Sequence, residues 1–156
     1  MDAPTRSFGG VNGHLLTIES KAENDFIKNQ IALNTWIGAS DIDTEGDWHW
    51  VAGPQNGTMF WTGGAKGSGG HAVNSLFSHW ADGEPNNSDG VENCAEFYSD
   101  GNWNDIPCSW TKDAYVAEFE NEAAPVSTSF QVTVTAAPSI SISSCEELAS
   151  IASYPE

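Results

Sequence analysis

The chain has 156 residues, and its 22 Asp and Glu against five Lys and Arg give a formal charge of -17. So few cations exclude nucleic acid or an anionic membrane surface as the partner, because both are held through Lys and Arg. Seven Trp, seven Phe and three Tyr suffice for one compact core with an appendage, and no run approaches the roughly eighteen apolar residues of a membrane span.

Met1-Asp2-Ala3-Pro4 has neither the basic start nor the apolar run of a signal peptide. Ser20-Lys21-Ala22-Glu23 is a capping box, and Phe26, Ile27, Gln30 and Ile31 follow at helical spacing, which predicts a helix of about a dozen residues. Strands are predicted at Thr35-Trp36-Ile37-Gly38 and, by alternation, at Asp47-Trp48-His49-Trp50-Val51. Residues 52–70, rich in Gly, Asn and Thr, read as a long loop. A last strand is expected at Tyr115-Val116-Ala117-Glu118-Phe119, followed by a linker at Asn121-Glu122-Ala123-Ala124-Pro125. Phe130, Val132 and Val134 then alternate with polar residues, Ile140 and Ile142 repeat the pattern, and residues 145–153 suit a short helix. The division is therefore one domain over 1–120 and, over 121–156, a linker with the start of a further extracellular module whose elements have no partner here.

Three segments carry chemistry: Glu84-Pro85-Asn86, Glu92, and Trp103-Asn104-Asp105. They offer three carboxylates and two amides on a stretch nearly free of Lys and Arg. Calcium takes roughly six to eight oxygen ligands and mixes carboxylates with amide and backbone oxygens. Amides in place of further acids leave the ion partly unneutralised, with room for outside hydroxyls.

These residues, bracketed by Cys94 and Cys108, resemble the sugar-binding calcium site of C-type lectin domains. Gly13-His14-Leu15-Leu16-Thr17-Ile18 and Trp36-Ile37-Gly38-Ala39-Ser40-Asp41 resemble core segments of the same family, and the middle, from Gly53-Pro54 to His79-Trp80, is similar to its bacterial members. The resemblance covers residues 8 to 120. It implies an α+β fold in which helices flank small antiparallel sheets and a long loop region carries calcium. It also implies a calcium-dependent carbohydrate-binding module in which Glu84, Asn86, Glu92, Asn104 and Asp105 bind both Ca2+ and sugar. Within it Cys94 and Cys108 pair, where two free buried thiols are the alternative, and the Glu84-Pro85 bond is cis. Glu-Pro-Asn in place of Gln-Pro-Asp implies equatorial vicinal hydroxyls of the mannose type, so the expected partner is a glycan with a mannose-type terminal sugar. A lectin-like domain that binds protein or ice, with purely structural calcium, is the alternative.

Asp41, Glu45, Asn87 and Asn93 match positions that form an auxiliary calcium site in animal relatives. Family members begin with a strand and a full first helix, which here have no counterpart, so the last strand is expected to lack its usual partner. Ala117 stands where the family often has a cysteine, and the outer disulfide is therefore absent. Cys145 is left over. A disulfide places the chain outside the reducing cytosol, secreted or on a cell surface, and the appendage implies other modules of a longer parent chain.

Asp41-x-Asp43-x-Glu45-Gly46 opens like an EF-hand loop, yet its twelfth position is Ala52. Gly63-Gly64-Ala65-Lys66-Gly67-Ser68 lacks the order of a phosphate loop, and no nucleophile elbow occurs. The four histidines are scattered singly, and no catalytic group is assigned: the chain is read as a binder and not as an enzyme. Asn86-Asn87-Ser88 is formally a glycosylation sequon on the proposed ligands, and Asn56-Gly57-Thr58 is a second one.

Overall fold

A computed structural model describes residues 7–8, 10–112 and 114–119, together with the backbone of 131–135 and 140–141. The architecture is α+β, as expected. Short strands β1 (Ser7–Phe8), β2 (Val11–Asn12) and β3 (His14–Leu15) lead to helix α1 (Lys21–Gln30). Strands β4 (Thr35–Ser40), β5 (Trp48–Trp50), β6 (Met59–Thr62), β7 (His71–Ala72), β8 (Cys94–Phe97), β9 (Trp103–Ile106) and β10 (Tyr115–Phe119) follow. Beyond them lie β11 (Gln131–Thr135) and β12 (Ile140–Ser141).

Helix α1 starts where the capping box predicts. The Ser20 hydroxyl accepts from the Glu23 N–H at 3.2 Å, while the Glu23 carboxylate accepts from the Glu19 N–H at 2.8 Å, one residue before the usual partner. Ile27 is fully buried, and Asn24 beside it accepts from the Trp103 indole N–H at 2.9 Å and donates to the Gly101 carbonyl. The helix is thus pinned to β9 through a buried amide whose hydrogen-bonding groups are satisfied.

The sheet runs β12-β11-β10-β4-β5-β6-β7, with β3 on β10 and the β8-β9 hairpin on β4. Strand β4 is longer than predicted and buried throughout, so it reads as an apolar run and not as an alternating one. Gly38 sits where β4 passes β3, and a side chain there would meet the Ala52 Cβ at 2.8 Å.

Two expectations are corrected. Residues 52–70 are not all loop, because Met59–Thr62 pairs antiparallel with β5 and buries Phe60 and Trp61. Four residues are too short for a periodic signal, and flanking glycines mask the strand. The last strand does not lack a partner either: β10 pairs antiparallel with β11, from Tyr115 opposite Thr135 to Phe119 opposite Gln131. Gln131–Thr135, within the alternating segment, thus continues the same sheet, since an exposed strand edge offers open backbone groups to any extended segment within reach. The expected helix over 145–153 and Cys145 lie outside the described residues.

The core is aromatic. Trp48, Phe60, Trp80 and Trp103 are 0–1 % exposed. Trp103 meets Trp50, Phe60, Phe77 and Trp80 edge-on at ring centroid distances of 5.7–5.9 Å, a geometry that adds about 0.5–1.5 kcal/mol per pair beyond burial. Because Trp103 opens β9, this packing fixes the strand that carries Asn104 and Asp105.

Candidate carbohydrate and metal site

Asp105 is fully buried. Its Oδ1 accepts from the Asn86 N–H at 3.0 Å and its Oδ2 from the Asn87 N–H at 2.6 Å, which ties the loop after Pro85 to β9. The Glu84-Pro85 bond is cis, as the resemblance implies. Asn87 and Asp89 adopt left-handed backbone at φ 46° and 58°, a region that Asn and Asp visit more readily than most residues. The resulting turn aims the Ser88 N–H at Glu92 Oε2 (2.8 Å) and the Glu92 N–H at Asn87 Oδ1 (3.0 Å).

Three acids thus gather in one neighbourhood. Glu84 Oε2 is buried with no hydrogen-bond partner, and Glu84, Glu92 and Asp105 make no ion pair among the described residues. Burial foremost, then the close approach and like charge of Asp105, and further the charge of Glu92, push the Glu84 carboxyl up to about 7. Glu92 is raised as well, by burial, against the pull of the Ser88 N–H and with the charges of Asp105, Asp89 and Glu96 adding to the rise. Tyr98 registers the same field: burial and then Glu96, Glu84, Glu92 and Asp105 raise its phenol to about 12.

Asn86 and Asn104 join this cluster through the chain, Asn86 by its backbone bond to Asp105 and Asn104 as the neighbour of Asp105 in β9. Asn104 Nδ2 donates to Glu96 Oε1 at 3.2 Å, and Glu96 Oε2 pairs with Lys112, which lies 5.7 Å from the Trp110 ring centre. With one N–H anchored, the amide oxygen and the second N–H of Asn104 are left for a ligand. Sequence reasoning missed Glu96 and Lys112. The available signal was a lone lysine in an acidic chain; its partner, 16 residues away, is found only by the fold.

Of the auxiliary set, Asp41, Glu45 and Asn87 come together and Asn93 joins through its backbone. Asp41 Oδ2 accepts from the Gly46 N–H, its Oδ1 is buried without a partner, and Asn87 Nδ2 donates to Glu45 Oε2 at 2.5 Å. The Asn93 carbonyl accepts from the Ser40 hydroxyl at 2.6 Å. Burial, against the Gly46 N–H and with help from Glu45 and Asp105, raises Asp41 to about 6.

Among the described residues no three His, Cys, Asp or Glu side chains converge as a ready metal cluster. The residues fit calcium nonetheless. Unpartnered, mutually repelling carboxylate oxygens next to amides form a donor set for a hard cation, and calcium draws part of its shell from amides and carbonyls. Cys94 and Cys108 are disulfide-bonded and tie β8 to the chain just past β9. Among the described residues no helix is long and apolar enough to cross a membrane.

The family profile described as "Lectin C-type domain" matches residues 9–119. Halomucin of Haloquadratum walsbyi is 44% identical over 106 residues, 67% of this chain and 1% of halomucin. The hepatic lectin of Gallus gallus is 32% identical over 101 residues, 64% of this chain and 41% of that protein. The chain thus spans less than half the length of either relative. The carbohydrate-recognition domain of cow CD23, solved in the presence of GlcNAc2Man3 oligosaccharide, superimposes with a TM-score of 0.54 at 26% identity, covering 72% of each chain. The hepatic lectin and the CD23 carbohydrate-recognition domain are named for binding and not for catalysis, in line with the absence of a catalytic assignment. Fold, disulfide and profile agree, and the chain belongs to the C-type lectin domain family.

Proposed function

We propose that the chain is a calcium-dependent carbohydrate-binding module for mannose-type sugars. The observation that carries this reading is the buried, unpartnered Glu84 Oε2 beside the fully buried Asp105, a pair of acids that no cationic side chain among the described residues compensates.

Glu84, Asn86, Glu92, Asn104 and Asp105 would hold the ion. Calcium bound there would supply a positively charged centre that attracts the oxygens of two vicinal hydroxyls. Glu84 and Glu92 take hydrogen bonds from those hydroxyls, and the amides of Asn86 and Asn104 donate to them. Asp105 keeps Asn86 and Asn87 in place through their backbone N–H groups. This order of acid and amide suits equatorial hydroxyls, and a wrongly placed hydroxyl leaves buried polar groups unpaired at about 1–3 kcal/mol each. Two hydroxyl contacts on an open surface correspond to millimolar affinity, about -4 kcal/mol, so avidity comes from repetition in a longer parent chain. Such a parent is secreted or displayed on a cell surface. Asp41, Glu45, Asn87 and Asn93 take a second, auxiliary calcium ion, and the lectin domain runs over residues 1–120, with β11 from the segment after it added to its sheet.

Retention on immobilised mannan in calcium, lost in chelator, is the expected result. Glu84→Gln with Asn86→Asp is expected to keep calcium and move the preference toward galactose. A folded, calcium-loaded chain that ignores every sugar matrix would overturn the reading in favour of a protein or ice ligand.

A further inference from the structure

A cavity of about 290 Å3 lies apart from the carboxylates, lined by Lys21, Trp61, Lys66, Phe77, His79 and Trp80 among others. In a chain of five Lys and Arg against 22 acids, two lysines on one cavity are a local concentration of cationic side chains.

The lysines' present partners are open to water. Lys21 Nζ donates to Asp25 at 2.5 Å and Lys66 Nζ to Asp82 at 3.2 Å, and the Asp82 side chain is 99 % exposed. Ion pairs this exposed hold weakly, so an anionic ligand displaces either carboxylate at little cost. The other walls are aromatic, and Phe77 and His79 stand edge to face at 6.0 Å. Trp80 is 1 % exposed, and its indole N–H is buried with no partner among the described residues.

The wall carrying Lys66 is built and not loose. Trp61 Nε1 donates to the Gly64 carbonyl at 3.2 Å, and a Cβ on Gly70 would lie 1.8 Å from the Gly64 oxygen, so only glycine closes this loop. The Lys66 N–H donates to the Glu84 carbonyl at 2.8 Å, which places the cavity wall against the segment that carries the proposed sugar ligands.

Aromatic walls and two exposed ammonium groups on one cavity match a ring that carries an anionic substituent. We propose that this cavity is a second subsite, which takes an acidic sugar unit bearing a carboxylate or a sulfate ester, beside the neutral unit at the carboxylate site. Only the identity of that neighbouring unit rests on the calcium-lectin reading; the anionic subsite stands without it.

The test is an amide and indole NMR titration of the 15N-labelled chain with glucuronate, glucose 6-sulfate, glucose and sodium sulfate, in chelator and again in calcium. Saturable shifts of the Trp80 indole and of the Lys66 and His79 signals are expected with glucuronate, glucose 6-sulfate or both, and which of them responds identifies the source of the anion. In chelator, where the carboxylate site is empty, glucose leaves these signals unmoved. Lys66→Gln weakens the response about tenfold, the loss of one charge-assisted bond, and leaves calcium-dependent mannan retention unchanged. No shift in either condition, equal shifts with glucose in chelator, or shifts as large with sodium sulfate as with the acidic sugars, which means an adventitious ion only, would each overturn the proposal. Because the chelator arm excludes the calcium site, failure of the mannan experiment leaves this result standing, and the converse holds.

Discussion

Trp103 and Asp105 are two residues apart on β9 and equally buried, both at 0 % exposure, yet they stand in opposite physical situations. Around Trp103 every neighbour adds to the packing: aromatic rings surround it and its indole N–H is satisfied by Asn24. Around Asp105 the neighbours oppose one another, because Glu84 and Glu92 bring like charge into the same half-buried space. The strand therefore joins a region whose contacts are satisfied within the chain to one where like charges are held close together. A stable frame holding unfavourable charges in place is how a protein prepares a binding site before its ligand arrives.

The sharpest way to break this contrast is Trp103→Ala, which empties the centre of the aromatic cluster. It is expected to cost about 3–5 kcal/mol in denaturant unfolding, with or without calcium, because the loss lies in packing and not in charge. An unfolding midpoint that moves only in calcium would show that the two regions are not separate.

Next in size is the Lys112–Glu96 pair, which lies between them. Lys112→Met leaves Glu96, 3 % exposed, without its cation, and is expected to cost about 3 kcal/mol. Adding Glu96→Leu is expected to restore most of that stability, since apolar replacement of a buried ion pair is close to neutral. The double variant also frees the Asn104 amide from its anchor, so sugar retention falls roughly threefold to tenfold, the worth of one net hydrogen bond. Restored stability with undiminished retention would remove Glu96 from the site.

The smallest effect is electrostatic. Glu84 is raised from 4.5 to about 7, so the folded chain binds this proton more tightly than the unfolded one does. Without calcium, its contribution is full below about 4.5 and is lost as pH rises through 7. Calcium requires the deprotonated carboxylate, so the stabilisation it confers grows over the same window. Glu84→Gln is expected to flatten the calcium-free profile, to gain about 0.5–1 kcal/mol in chelator at pH 8 after discount for exposure, and to lose the rise in melting temperature that calcium gives. Thermal melts at pH 5 and 8, with calcium and with chelator, check all three, and an unchanged profile would remove Glu84 from the charged cluster.

Much of the site was legible because it is written in short segments. Glu84-Pro85-Asn86 and Trp103-Asn104-Asp105 each carry ligand types at fixed local spacing, and the Ser20 cap announces α1 within one turn. Strand β6 was not legible, for its four residues sit among glycines and owe their conformation to β5. Nor were Glu96 and Lys112, whose pairing depends on the path between β8 and β10. The pairing of β11 with β10 escaped as well. Alternation at 130–134 shows that the segment is extended, but nothing in it says which edge it joins.

The amino-acid sequence by itself determined the inventory: an acidic chain with a tryptophan-rich core, a helix start, two cysteines around Trp103-Asn104-Asp105 and a set of carboxylates and amides suited to calcium. Those features are local, set by side-chain chemistry and by neighbours a few residues away. Only the tertiary structure decided that Asp105 holds the Asn86-Asn87 backbone, that Glu84 Oε2 is buried without a partner, and that two scarce lysines share a cavity with Trp80. Those outcomes depend on burial and on approach between distant segments, and the free energy of a charge is set by what surrounds it once the chain has folded.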